Sequence, residues 1–336
     1  MANCNKLFLD FNSEITPTKE QMQEMKTSRE ALERKISDAL QEKLQMTACY
    51  YTQGSGASKM KTIIIKADGT YDADRGVYLP EKPNVNAETV QKYIYDAVKD
   101  HTDGGAQHRK KCIRVLYKSA YNIDFPAYYE VPGESYSYLA HKEEGWIKDD
   151  PSKMIEWFLD HKDEDGQLLR IVKYVKAWAS KCSFKMPSGI ALTVWAARNF
   201  AKNEDRDDKC LLQVLKAIQG MIVFTVTCSS AVEPFDDLVG KLTDQQKNNF
   251  RKELDNFCID AQAAIDETNQ LKASRIWRGY FGDRFPVGVD EDVDKKAVAL
   301  MGTAAVVLEK KAHLNSEGFI NESSGIQHQI HRNFGG

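Results

Sequence analysis

The chain has 336 residues, 42% apolar and 28% charged, a globular composition long enough for one large or two ordinary domains with real cores. Its formal net charge is −3, so there is no overall basic field to hold long nucleic acid through phosphates, and none is expected as an obligate partner. No apolar run reaches the length of a membrane span, which leaves no membrane partner expected either.

Seven cysteines, Cys4, Cys49, Cys112, Cys182, Cys210, Cys228 and Cys258, sit singly and far apart, with no Cys-x-x-Cys pair and no signal-like segment before them. That pattern predicts reduced thiols and a cytoplasmic protein. The seven histidines show no zinc spacing.

In chain order, Leu7-Phe8-Leu9 reads as a short strand-like segment. Thr16 as cap and Pro17 at the first helical position then open a helix to about Gln45. Its one-sided stripe of Met22, Met25, Arg29, Leu32, Ile36, Leu40 and Leu44 marks a face for core packing, and its length of roughly 40 Å could back a whole domain. From Tyr50 the pattern becomes β-prone, with strands expected at Ile63-Ile64-Ile65 and Asp72–Leu79 and a turn over Lys66–Thr70. A helix follows over 87–99, then a polar loop over 100–107 and a hairpin from Ile113–Tyr117 to Tyr121–Tyr129 that carries Asp124. Residues 131–151, with Pro132, Gly133, Gly145 and Pro151, read as a long irregular connection at the lip of a cleft. Beyond Ser152 helices are expected over 152–162, 166–181, 188–202, 207–220, 243–273 and 291–313, and a flexible polar tail over 315–336. The change from strands to helices near residue 150 is the domain boundary.

Asp72 and Asp74, two apart in a strand, project from one face. Carboxylates that close repel and raise one another's pKa unless a cation separates them, and a hard cation such as Mg²⁺ suits them. Such a pair alone is more often a solvated strand face. Upstream, Gln53-Gly54-Ser55 is a small-residue turn whose backbone N–H groups could approach phosphate. Downstream, Asp124 lies between Ile123 and Phe125 and needs a partner if buried. The three acids together, after a Gly-Ser turn, point to metal-dependent nucleotidyl transfer, with Asp124 also a candidate general base.

Lys176, at the edge of an apolar helix face, either snorkels to water or reaches a phosphate. Ser188 is most economically a helix N-cap. Gln53 serves equally well as a turn residue or a ligand. The terminal Gly335-Gly336 offers the unhindered carboxylate that a conjugating enzyme needs, although most chain ends carry no such meaning.

Gln53-Gly54-Ser55, Asp72-x-Asp74-x-Gly76-x-Tyr78, Asn122-Ile123-Asp124-x-Pro126, Gly145-Trp146-x-x-x-Asp150-Pro151, Val175-Lys176-Ala177-Trp178 and Pro187-Ser188 occur together in this order. Over residues 15–200 the chain therefore resembles the cGAS/DncV-like nucleotidyltransferases (CD-NTases) of bacterial CBASS anti-phage defence, the DncV-like branch in particular. The resemblance implies an α+β fold, a polymerase-β-like mixed sheet with a long N-terminal spine helix plus a C-terminal helical domain. The corresponding division is 1–150, 151–314 and a tail over 315–336.

It also implies a synthase of cyclic di- or oligonucleotide second messengers from nucleoside triphosphates, ATP and GTP among them. Asp72, Asp74 and Asp124 would hold two Mg²⁺ ions, with Mn²⁺ able to substitute. Gln53, Gly54, Ser55, Lys176 and Ser188 would bind nucleotide. Gly336 would be the conjugation site for an E1/E2-like, ubiquitin-ligase-like partner. The chain departs from the family pattern after the Gly-Ser turn, where Gly56–Thr62 is longer and basic and lacks the usual aromatic residue, so base preference has no handle. Two other readings are open: nucleotide addition to an RNA end or other acceptor, and a catalytically silent carrier conjugated through its tail.

Overall fold

The computed structural model describes residues 2–57, 60–118, 120–203 and 205–292, together with the backbone of three paired dipeptide strands at His313–Leu314, Ile320–Asn321 and Ile326–Gln327. The helix expected over 291–313 falls almost wholly outside the described residues, as do most of the tail and Gly336.

Residues 5–14 form a helix, α1 (Asn5–Glu14), and not a strand. A three-residue apolar run cannot separate the two states. Tertiary packing decides it, because Leu7, Phe8 and Phe11 fall on one helical face and are buried. Phe8 sits edge-on to Tyr174, Trp277 and Phe285 in the helical core. The spine helix α2 (Lys19–Leu44) starts two residues later than expected. Thr18 and Gln21 form a reciprocal capping box, while the Thr16 hydroxyl donates back to the Asn12 carbonyl and closes α1. Pro17 marks the break between the two helices.

An eight-stranded mixed sheet lies against α2 and α3 (Ala87–Val98), and their shared core contains Leu32, Ile36, Val90, Ile94, Val77 and Ile123. Its strands are β1 (Cys49–Gln53), β2 (Tyr71–Leu79), β3 (Ala106–His108), β4 (Ile113–Tyr117), β5 (Tyr121–Phe125), β6 (Ala127–Glu130), β7 (Ser137–His141) and β8 (Gly145–Asp149). β2 bonds to β1 antiparallel and to β5 and β6 in parallel. The parallel register is constant, from Tyr71 opposite Tyr121 to Leu79 opposite Tyr129. Pro126 interrupts the run, yet its carbonyl still accepts from Val77 N–H at 2.9 Å. The expected hairpin is present as β4–β5.

Two stretches differ from expectation. The connection over 131–151 contains the β7–β8 hairpin, in which Leu139 faces Ile147 and Ala140 faces Trp146. Its glycines at 133 and 145, both with positive φ, turn the chain and do not abolish pairing. Ile63–Ile65 pairs with no strand among the described residues and serves as a strap between layers: Ile63 packs into the sheet core and Ile64 into the helical core. Ile65 N–H donates to the Ile15 carbonyl, and the Ile65 carbonyl accepts from Arg284.

The helical layer comprises α4 (Pro151–Asp160), α5 (Gln167–Lys181), α6 (Gly189–Arg198), α7 (Asp207–Met221), α8 (Asp244–Asp266) and α9 (Gln270–Phe281). The single helix expected over 243–273 is two, because Asn269 caps a new helix by accepting from Lys272 N–H. Among the described residues no helix is long and apolar enough to cross a membrane, and all seven cysteines are free thiols.

Candidate active site

The constant β2–β5 register places Asn122 beside Asp72 and Asp124 beside Asp74, so strand pairing gathers the three aspartates on one face of neighbouring strands. Gly54 completes the turn that meets them. It has φ +57°, and a Cβ there would lie 2.5 Å from Asp74 Oδ2, so only glycine lets the turn approach this carboxylate. The turn itself, Gly54–Gly56, is a single 3₁₀ turn at the end of β1.

The acids are balanced by cations that lie outside the acidic and glycine motifs. Arg114, opposite Asp124 in the β4–β5 register, donates to both its oxygens at 2.7 and 2.6 Å and lies 3.6 Å from Asp72 Oδ1. Lys66 pairs with Asp72 Oδ2, and Asn122 donates to Asp72 Oδ1 at 2.9 Å. Burial works to raise the pKa of Asp72, but Arg114, Lys66 and Asn122 outweigh it and hold it below its ordinary value. At Asp74 the opposing pull of Arg114 and Lys176 is too weak to offset burial and the other two acids. Burial, then Asp124 and Asp72, push it up to about 7. The Arg114 guanidinium is itself raised, its bond to Asp124 overcoming burial.

Asp72, Asp74 and Asp124 fit a hard divalent cation by chemistry, since they bring anionic oxygen donors and excess negative charge to one place. Among the described residues, however, no three acidic, histidine or cysteine side chains are gathered closely enough to enclose an ion as they stand. Arg114 and Lys66 provide the countercharge in this arrangement.

Two cavities of about 370 Å³ each flank the aspartates. The first is bounded by Ser55, Lys66, Asp72, Lys176 and Lys185, with an apolar side that includes Phe184. Lys176 is largely buried and donates to the Thr62 carbonyl and hydroxyl at 3.2 and 3.3 Å. Burial lowers its pKa to about 8, with Asp74 pulling the other way. The second cavity is bounded by Gly54, Asp74, Tyr128, Asp149, Met154 and Ile190.

Other expected site residues fall differently. Gln53 lines the second cavity, but its buried amide donates to the Tyr78 hydroxyl and its oxygen lies 3.4 Å from the Tyr128 hydroxyl, so it fixes the wall. Ser188 is the N-cap of α6, accepting from Ala191 N–H at 3.3 Å, and is exposed outside both cavities. Arg114 is legible in one respect. A hairpin closed by Tyr117 and Tyr121 puts it opposite Asp124, the partner that a buried acid requires. Nothing in the sequence marks Lys66 or Asp149.

The sheet, its acidic triplet and the Gly-Ser turn define a polymerase-β-like nucleotidyltransferase fold. A family model described as the nucleotidyltransferase domain of cyclic GMP-AMP synthase DncV-like proteins matches residues 48–128, the segment holding all three aspartates. Over that segment the chain is similar to the DncV-like nucleotidyltransferases. It is 24% identical over 157 residues to a cyclic AMP-AMP-AMP synthase from an Acinetobacter species, a match covering 44% of this chain and 45% of that relative, less than half its length. The fold is similar to Vibrio cholerae DncV, a cyclic AMP-GMP synthase, with TM-score 0.71 and 16% identity over 84% of this chain and 97% of that one. It is also similar to Bradyrhizobium diazoefficiens CdnG, solved with GTP, with TM-score 0.68 and 13% identity over 83% and 95% of the two chains.

Proposed function

We propose that this chain joins nucleoside triphosphates into a cyclic di- or oligonucleotide second messenger, acting in the cytoplasm in anti-phage defence. The observation that carries the reading is the placement of the two β2 aspartates: Asp72 bounds one cavity and Asp74 the other. Two pockets of nucleotide size meeting at one acidic triplet is what condensation of two nucleotides requires.

Asp72, Asp74 and Asp124 would hold two Mg²⁺ ions, which Mn²⁺ could replace. Bound there, the ions supply Lewis-acid activation of a ribose hydroxyl and neutralise charge on departing pyrophosphate. The chain's own residues do the positioning. The Gly54–Gly56 turn offers backbone N–H groups to a triphosphate, as does the hydroxyl of Ser55. Lys176 and Lys185 place positive charge in the first cavity, which suits the polyanionic tail. The apolar side of that cavity, with Phe184, supplies the surface for a base that the Gly-Ser turn lacks.

Incubation with labelled nucleoside triphosphates and Mg²⁺ should release pyrophosphate and yield a phosphatase-resistant product, absent in Asp72→Asn and Asp74→Asn. A linear, phosphatase-sensitive product would move the assignment to transfer onto an RNA end or other acceptor. A chain inert with every triphosphate and metal would favour a carrier.

A further inference from the structure

The two cavities differ in charge. The first has Lys66, Lys176 and Lys185 against Asp72 alone. The second has Lys111 against five carboxylates, Asp74, Asp149, Asp150, Glu233 and Asp236. A triphosphate is drawn to the first and repelled by the second, so the second must receive an uncharged, hydrogen-bond-donating part of a substrate. Met154, Ile155, Ile190 and Leu238 give it apolar surface suited to the faces of a planar ring.

The carboxylates there are not equivalent. Asp74 belongs to the acidic triplet. Asp150 caps α4, its Oδ1 accepting from Lys153 N–H at 2.9 Å and its Oδ2 lying 3.5 Å from Lys153 Nζ. Glu233 and Asp236 are exposed on a loop. Asp149, at the end of β8, is half-buried and held by one bond, its Oδ2 accepting from the Tyr128 hydroxyl at 3.0 Å. Tyr128 is itself buried and stacked on Tyr78 at 4.7 Å. Among the described residues, Oδ1 of Asp149 has no hydrogen bond. Asp149 is thus an oriented acceptor on the cavity wall.

We infer that the second cavity takes a guanine base, read at its Watson–Crick edge by Asp149. The inference rests on the nucleotide-joining reading above. Guanine alone among the four bases presents two adjacent donors on that edge, N1–H and the N2 amine, matching the two oxygens of one carboxylate. Adenine and cytosine set a ring acceptor beside their amine, which would face a carboxylate lone pair. Uracil flanks its one N–H with carbonyl oxygens. A buried acceptor left facing another acceptor is penalised, which is the basis of discrimination.

The test is equilibrium titration of the full chain with GMP, IMP and AMP by calorimetry. GMP should bind tightest. IMP, which lacks the N2 amine, should be weaker by roughly tenfold or more, as expected for one hydrogen bond to a charged group. AMP should be weaker again. Asp149→Asn presents one acceptor and one donor, the complement of adenine, and should shift the GMP-to-AMP preference toward AMP by roughly 5- to 150-fold.

AMP binding to the unaltered chain as tightly as GMP, or a preference unmoved in Asp149→Asn, would overturn the inference. Should Asp149→Asn fail to fold, the GMP, IMP and AMP series on the unaltered chain still decides it. Absence of pyrophosphate release from any triphosphate would refute nucleotide joining. The binding series would then still decide, on its own, which base the cavity takes.

Discussion

Arg114 holds Asp124 by two hydrogen bonds of 2.7 and 2.6 Å, across a strand pair that also brings Asp124 beside Asp74. The side chains are only 15% and 10% exposed, so this is a largely desolvated ion pair in the place where the fold would gather divalent cations. The guanidinium and a divalent ion therefore compete for the same oxygens. Arg114→Gln should lower stability in metal-free buffer by roughly 3 kcal/mol, as for removal of one partner from a buried pair. It should also tighten Mn²⁺ binding by roughly tenfold or more, because a competing positive charge is gone. Thermal melts with and without Mn²⁺ should show a larger metal-induced rise for Arg114→Gln than for the unaltered chain. Equal rises would mean that Arg114 does not compete with metal.

Asp74 gives the site a pH dependence of defined sign. Its carboxyl is raised to about 7 by burial and by Asp124 and Asp72. Between about pH 4 and pH 7 the folded chain then holds a proton that the unfolded chain has released, so this group's contribution to stability falls as pH rises through that window. A divalent ion needs the carboxylate and must expel that proton. Mn²⁺ binding at pH 6 should release roughly one proton through this group, read by calorimetry in buffers of different ionisation enthalpy. Asp74→Asn should abolish that release, and its persistence would place the proton elsewhere.

What is legible in the sequence is periodic or carried by a short motif. The stripe of Leu32, Ile36 and Leu40 marks α2, and alternation marks β2 with Asp72 and Asp74 on one face. The pairing of Asp124 with Asp74 is reachable only through the family resemblance, because parallel register depends on contacts 50 residues apart. Ile63–Ile65 shows where β-propensity fails. The run is β-prone, yet the sheet core takes Ile63 and part of Ile65 while the helical core takes Ile64, which tertiary contacts alone decide. Lys66 and Asp149 are hard to pick out for a similar reason: each looks like an ordinary surface charge until its neighbours are known.

Gly54 gives a sharper test of the turn's role. Alanine there would need a left-handed backbone and would press on Asp74 Oδ2, 2.5 Å from the new Cβ. Gly54→Ala should cost about 1–2 kcal/mol of stability from backbone strain. Displacement of the carboxylate should lower kcat by roughly 100-fold. Gly56→Ala, whose nearest neighbours would lie at 3.8 Å, should be close to the unaltered chain in both respects. Comparable losses in the two variants would show that the turn is merely fragile.

Lys176 should separate binding from stability. Its ammonium is largely buried, and burial depresses its pKa to about 8, against an unfolded value above 10. Between those values the unfolded chain binds more protons than the folded one, so this group's contribution to stability rises with pH there and its cost is greatest below pH 8. Lys176→Met removes that buried charge and should raise the melting temperature at pH 7. If the ammonium meets a triphosphate in the first cavity, the same variant should raise KM for nucleoside triphosphate by roughly 10- to 150-fold, the value of a charge-assisted bond. Melting curves at pH 7 and pH 10 should show the gain shrinking at the higher pH. A variant that melts lower and keeps its KM would make Lys176 a structural partner of Thr62, with its bonds to the strap outweighing the cost of burying charge.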